Sequence, residues 1–447
     1  MSESNAYPAT VDVGILTDDK ICVCLHGRWK KEYNKCDSDD GQCLADKTRC
    51  GADAAQCTSA NARCGTDDIL CGSDNEMTLN EPCVFIPIDK DATFTLRNVM
   101  IGKQYHWQQC QDQTFSGSLR VIKEGNRLTA VNRIGVEQYL KSVISSEMSA
   151  EASLEFLKAS AVISRSWLMR QITHTNATHS NEGMVDTADT IIRWQDHNDH
   201  TLYDVCADDH CQRYQGLTAI TNEKAVMAVE ETAGQVLTYN NNVCDCRFSK
   251  CCGGKTEVFS TCWQDEDIPY LSSVHDTDPK DGSILCDTED EAILRQVLKD
   301  YDQHTHDFFS WTRHYTQSEL RNLIEHKLHR NVGAIIEMRP LRRGPSGRIS
   351  LMLLRGTQGD LTIGKELLIR SALSESHLLS SAFQVEAESC NEEGVPAGFT
   401  LKGKGWGHGV GMCQIGAAVM GARGYSYLQI LEHYYPHTQV THIDYTI

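Results

Sequence analysis

The sequence predicts an α+β fold. Three observations carry this. Short apolar-polar alternations fill residues 10–26 and 84–131, which is the two-residue period of half-buried strands. Residues 135–172 switch to a helical period. Beyond them, helical and strand patterns interleave without the regular βαβ alternation of a doubly wound sheet.

The elements follow in order. Val11, Val13 and Ile15, then Ile21, Val23 and Leu25, predict two strands joined near Thr17-Asp18-Asp19. Cys36, Cys43, Cys50, Cys57, Cys64 and Cys71 then recur every seven residues. One Cys per heptad among scattered Gly and Asp cannot form a coiled-coil seam. The segment 36–83 is therefore expected to be a repeat-bearing insertion, stapled by disulfides or engaged in metal or redox chemistry. Residues 1–35 are assigned to the N-terminal strands of the core and 84–447 to the main region, with a polar insertion near 174–199.

Within that region Val136, Leu140, Val143 and Ile144 form one stripe of a helix over 135–148. Ser149 is expected to cap the next helix, which runs to about Ile172 and buries Leu154, Leu157, Ala161 and Leu168. A helix at Glu223–Glu231 follows. Residues 288–330 are expected to be mostly helical, 346–371 strands, and Tyr425–Tyr435 a closing helix. Before that helix lies Gly403-Lys404-Gly405-Trp406-Gly407-His408-Gly409-Val410-Gly411-Met412-Cys413-Gln414. Five alternating glycines exclude a helix there. They suit a backbone that passes close to something, with His408 and Gln414 presented beside it.

Length and charge set bounds. The 447 residues suit two domains, or one large domain with insertions. A net charge of -19 argues against a nucleic-acid partner, which requires clustered Lys and Arg. No apolar run approaches the roughly 20 residues that span a bilayer. The polar stretch Met1–Ala9 does not read as a signal peptide.

Three constellations could carry chemistry. Glu147 follows Val143 by four residues and Leu140 by seven, which places a carboxylate on the apolar stripe. Desolvation there would raise its pKa and suit it to general acid catalysis. His200, Cys206, His210 and Cys211, with His197 as an alternative to His200, have the donor set of a closed, structural zinc site. A Cys206–Cys211 disulfide is the other reading of these residues. Cys251-Cys252 invites a thiol-nucleophile reading, although no His carries a sequence cue as its base.

Together these segments resemble the SpoIID/LytB family. The stretch Val136-Glu137-Gln138-Tyr139-Leu140 through Ser146-Glu147-Met148 is similar to one family segment, and Leu157-Lys158-Ala159 through Arg165 to another. Cys206 to Tyr214, Gly253-Gly254-Lys255-Thr256-Glu257, Pro269-Tyr270-Leu271, the glycine stretch and Tyr434-Tyr435-Pro436 follow in family order. The resemblance implies a peptidoglycan lytic transglycosylase that cleaves denuded strands between N-acetylmuramic acid and N-acetylglucosamine. It implies that Glu147 is catalytic and that Lys158, Arg165, Tyr214, Thr256, His408 and Gln414 bind substrate, with an elongated glycan cleft walled by the glycine stretch. For Lys158 and Arg165, a structural pair that orients the Glu147 helix is the other reading. It also implies structural zinc at His200, Cys206, His210 and Cys211. The partners it implies are glycan strands and, from the amidase-enhancer side of the family, a cell-wall amidase. The cell envelope is the expected location. Cys413 and Cys251 stand where the family often has Ser, and the Cys repeat has no family counterpart.

Overall fold

The computed structural model describes residues 7–32, 69–71, 76–102, 108–149, 151–174, 183–194, 200–208, 210–298 and 307–446. The Cys repeat from Cys36 to Cys64, and His197, lie outside these residues.

The alternating segments pair as expected. Thr10–Asp18 and Arg127–Gly135 lie antiparallel at the heart of a seven-stranded sheet. Val205–Cys206 joins the free edge of Thr10–Asp18 in parallel, which carries the Cys/His segment onto the sheet. Ile21–His26 belongs instead to a four-stranded sheet with Glu76–Leu79, Thr93–Ile101 and Gln109–Phe115. The two sheets share one apolar core. Trp29 meets Phe94 edge-on at 6.0 Å, and Phe94 stacks on Phe115 at 5.3 Å.

Helix α1 (Val136–Glu147) buries the predicted stripe of Val136, Leu140, Val143 and Ile144. Helix α2 (Leu154–His174) starts later than the sequence suggests. Ser153, not Ser149, accepts the helix-start N–H from Phe156 at 3.3 Å, while Ser149 closes a turn with the Glu151 N–H. It is a central helix covered on several sides: Phe156, Leu157, Ala161, Val162 and Leu168 are all fully buried, so its pattern is apolar almost all round. Helix α3 (Glu223–Glu231) forms where predicted, with Asn222 as its cap. Two short helices follow, α4 (Phe259–Cys262) and α5 (Glu291–Val297).

The region 84–447 is not one core. Strands Ile335–Arg343, Ile349–Gly356 and Gly359–Gly364 form a sheet, extended by Thr190–Ile192 and Val185–Asp186 from the predicted polar insertion. Strands Ser310–Thr316, Gly398–Lys404 and Phe383–Ala387 form another. Helices α6 (Gln317–Leu328) and α7 (Glu366–Ala372) pack on them around a separate cluster that includes Trp311, Leu320, Ile335, Met352, Ile369 and Leu401. Ser310–Thr316 is a strand inside the stretch expected to be helical, and α7 is a helix inside the stretch expected to be strands. Each obeys the second core rather than its local pattern.

The chain then returns to the first core through helices α8 (Gln414–Ala422) and α9 (Tyr427–Tyr434). The second of these matches the predicted closing helix. The first begins directly after the glycine stretch and holds Gly416 because a β-carbon there would lie 2.3 Å from the Tyr434 hydroxyl.

Candidate functional site

Helix α1 ends at Glu147, so the carboxylate stands where the helix stops rather than under its apolar stripe, and it is half-buried. Its Oε1 accepts the Arg213 N–H at 3.2 Å. Oε2 makes no hydrogen bond among the described residues. One oxygen is thus fixed by backbone and the other is free to meet a ligand.

The segment that fixes Glu147 is also the one that carries the Cys/His cluster. The ligand atoms of His200, Cys206, His210 and Cys211 all lie within 4.8 Å of one another. His210 Nδ1 is 3.5 Å from Cys211 Sγ, and the Cys206 N–H donates to Cys211 Sγ at 3.4 Å. Cys206 is held far below the ordinary thiol range by its hydrogen bond with Cys211. Burial opposes this, and His200 and His210 add to it. The same contact with Cys206 pushes Cys211 up, so the pair carries one proton easily and two with difficulty. His200 Nε2 is buried and finds no hydrogen-bond partner among the described residues. A thiolate, a buried imidazole nitrogen without a partner and two further donors fit a metal ion. A cleft of about 220 Å³ opens beside this cluster, lined by Tyr203, Asp208 and Arg213 among others.

Four residues expected to bind substrate are buried. Arg165 is fully buried on α2 and donates through Nε and Nη2 to both carboxylate oxygens of Glu137, at 2.8 and 2.7 Å. It also caps the carbonyls of Gln235 and Val229, which makes it a framework residue that ties α1 to α2. Tyr214 is buried with its hydroxyl on Asn132 Oδ1 at 2.7 Å and its ring stacked on Tyr139. Thr256 is buried, with its Oγ1 accepting from the Val274 N–H at 2.8 Å. Gln414 is buried at the start of α8. Of the four, Tyr214 alone borders the cleft beside the Cys/His cluster. Lys158 is held between Glu155 and Glu231, at 3.3 and 2.6 Å. Cys251 and Cys252 are also fully buried, which removes the thiol-nucleophile reading.

His408 is half-buried, and its ring meets Trp263 edge-on at 5.1 Å. Its Nδ1 accepts the Val410 N–H at 3.0 Å. Burial pushes His408 well below the ordinary imidazole range. The charges of Arg247, Arg348 and Arg370 push the same way, against a hydrogen bond to the Phe248 carbonyl. The Arg247 guanidinium lies over the Trp263 ring, 4.5 Å from its centroid. Arg247 and Trp263, with Tyr239, Asp245 and Tyr270, line a second cleft of about 450 Å³. Arg247 is near enough to Cys211 for its charge to act on that thiol. Sequence reading missed Arg247 and Trp263, which carry no motif of their own.

The glycines serve an internal partner. Gly405, Gly407, Gly409 and Gly411 all take positive φ. They fold the backbone around the fully buried Arg348. Its guanidinium donates to the carbonyls of Gly407 and Cys252 at 2.9 and 3.0 Å. The close approach predicted for a sugar is made by an arginine.

With the fold and the site described, comparison with known proteins shows a likeness to the SpoIID family. Residues 124–239 match the SpoIID family, described as stage II sporulation protein. Residues 257–411, which include most of the second core, match a family described as a domain of unknown function (DUF8618). Among relatives, the chain is 27% identical over 320 residues to the "Amidase enhancer" of Bacillus subtilis (strain 168), a match covering 68% of this chain and 40% of that protein. It is 27% identical over 331 residues to "Stage II sporulation protein D" of Bacillus amyloliquefaciens, covering 73% of this chain and 79% of the relative. The B. subtilis protein of that name is 26% identical over 328 residues, covering 73% and 80%. No helix among the described residues is long and apolar enough to cross a membrane.

Proposed function

We propose that this chain is a peptidoglycan lytic transglycosylase that cleaves denuded glycan between N-acetylmuramic acid and N-acetylglucosamine and leaves 1,6-anhydro ends. The match of residues 124–239 to the SpoIID family and the names of the similar proteins support a cell-wall role. The finer reading rests on one observation: Glu147 has one oxygen fixed by the Arg213 N–H and the other free.

Ordinary glycosidases need two carboxyl groups, one of which attacks the sugar or activates water. When the muramic acid 6-hydroxyl attacks instead, one carboxyl suffices. Glu147, protonated, gives its proton to the glycosidic oxygen as that bond breaks. As carboxylate it then takes the proton of the 6-hydroxyl as that oxygen closes on the anomeric carbon. The cleft with Trp263 and Arg247 supplies an aromatic wall and a cation to hold the sugar chain, with His408 beside them. His200, Cys206, His210 and Cys211 would hold a structural zinc. With four protein ligands it leaves no open position for chemistry, and its role is to shape the segment that carries Arg213.

The test is product analysis by mass spectrometry on denuded and peptide-bearing strands. Anhydro ends are expected with wild type and absent with Glu147→Gln. Reducing ends alone would sink the proposal. The second reading, a non-catalytic activator, is favoured by the similarity to the amidase enhancer. It predicts no glycan products at all, but faster cleavage when a cell-wall amidase is added.

A further inference from the structure

A second cluster of metal-ligating side chains lies away from Glu147. Cys252, Asp276, Cys286 and Cys413 come from four separate segments, and their ligand atoms all lie within 4.8 Å of one another. All four are essentially inaccessible, at 0–1% exposure. We propose that they form a second structural zinc site.

Three features of the geometry point to a metal. The first is spacing. Cys252 Sγ is 3.6 Å from Cys286 Sγ and 3.3 Å from Asp276 Oδ2. A tetrahedral zinc with bonds of about 2.3 Å to sulfur sets its sulfurs about 3.8 Å apart, whereas a disulfide needs about 2.0 Å. The second is the direction of the surrounding hydrogen bonds. The Cys252 N–H donates to Cys413 Sγ and the Gly254 N–H to Cys286 Sγ, both at 3.2 Å. Sulfur that accepts backbone N–H groups is arranged as thiolate, as in metal–thiolate centres, and Cys413 also stands at the N-terminus of α8. The third is the carboxylate. The Tyr434 hydroxyl donates to Asp276 Oδ1 at 2.6 Å and the Cys286 N–H to Oδ2 at 3.2 Å, which fixes Oδ2 toward the thiols. No Lys or Arg among the described residues forms an ion pair with Asp276. A carboxyl buried among thiols stays charged only with a cation beside it, which a metal ion at this position would supply.

Three thiolates and a carboxylate select a borderline-soft, tetrahedral ion, hence zinc. Four protein ligands make the site structural. It would join the loop after Phe248–Ser249, the 274–286 segment and the end of the glycine stretch, and Tyr434 would link it to α9. Binding releases the thiol protons to solvent and changes no oxidation state.

The test is zinc content by mass spectrometry of the full chain purified under reducing conditions. The C206S/C211S variant is expected to keep zinc, whether or not the first cluster binds metal, and C206S/C211S/C252S/C286S to hold one zinc fewer per chain than the double variant. A double variant without zinc, or a quadruple variant with as much as the double, overturns the proposal. So does a Cys252–Cys286 disulfide found by non-reducing peptide mapping. Zinc-edge X-ray absorption on wild type needs no variant: with both clusters loaded, five thiolates over two ions give about 2.5 sulfurs per zinc, and with the second alone loaded, about 3. A value of about 2 overturns the second site.

Discussion

The guanidinium carbon of Arg348 lies 2.4 Å from where a β-carbon at Gly409 would stand. The two residues are 61 positions apart, and the glycine is shaped by the arginine. Nη1 of Arg348 also donates to Ser346 Oγ at 3.0 Å, and Ser346 Oγ donates to the buried Glu257 carboxylate at 2.6 Å. The glycine stretch is thereby locked to the second core, on whose strand Ile349–Gly356 Arg348 borders.

Gly409→Ala is expected to destabilise the protein by about 2–4 kcal/mol, combining a left-handed φ with overpacking. Gly424→Ala is the matched control. Gly424 has φ +82 but open space around its β-position, so only the backbone cost of about 1 kcal/mol applies. Denaturant unfolding of both variants checks the difference. Equal costs would mean that Arg348 moves aside freely.

Arg165→Met is expected to cost about 3–5 kcal/mol, because it leaves the Glu137 carboxylate without its partner. Arg165→Lys should recover little, since a lysine cannot span both oxygens. The sign of the pH effect follows. Burial acts to raise the Glu137 pKa, but Arg165, Tyr445 and the Gly234 N–H outweigh it and hold the group below its ordinary value. The pair's contribution is present above the unfolded carboxylate value and is lost as pH falls through the lower folded one. Wild-type acid unfolding should therefore be steeper than that of Arg165→Met.

His408 titrates with the opposite protonation preference from a paired histidine. Its folded pKa lies well below the unfolded value of about 6.5, so the unfolded chain binds the proton first. Stability should fall as pH drops below that value and rise as pH returns through it. His408→Asn should flatten this slope between pH 7.5 and 5, measured by denaturant midpoints. An unchanged slope would assign the effect to other histidines.

Trp263→Ala is expected to raise KM for denuded glycan about tenfold, or about 1.4 kcal/mol, with kcat little changed. Trp263 lines the larger cleft rather than touching Glu147, so its loss should weaken binding without altering proton transfer. A fall in kcat at constant KM would move it into the reacting site.

Chelation should act in the other direction. Arg213 follows Cys211 by two residues, and its N–H holds Glu147. Removing metal from the Cys206 cluster should lower kcat with little effect on KM and expose Cys206 and Cys211 to alkylation. Full activity in protein whose first cluster is stripped would separate that segment from catalysis.

Local pattern determined much of this protein. The two-residue period placed Thr10–Asp18 and Ile21–His26, and the helical period placed α1 and its buried stripe. The spacing of Cys206, His210 and Cys211 sufficed to mark a cluster that the fold gathers within 4.8 Å. These signals are legible because each lies within one element or one loop. Tertiary structure alone decided that Arg165 pairs with Glu137, that the alternating glycines close around Arg348, and that Asp276 and Cys286 meet Cys252 and Cys413. In each case the partners are tens to more than a hundred residues apart. Side-chain periodicity reports which face of an element is buried, but not what lies against it. A glycine that makes room for an arginine therefore reads the same in sequence as one that makes room for a sugar.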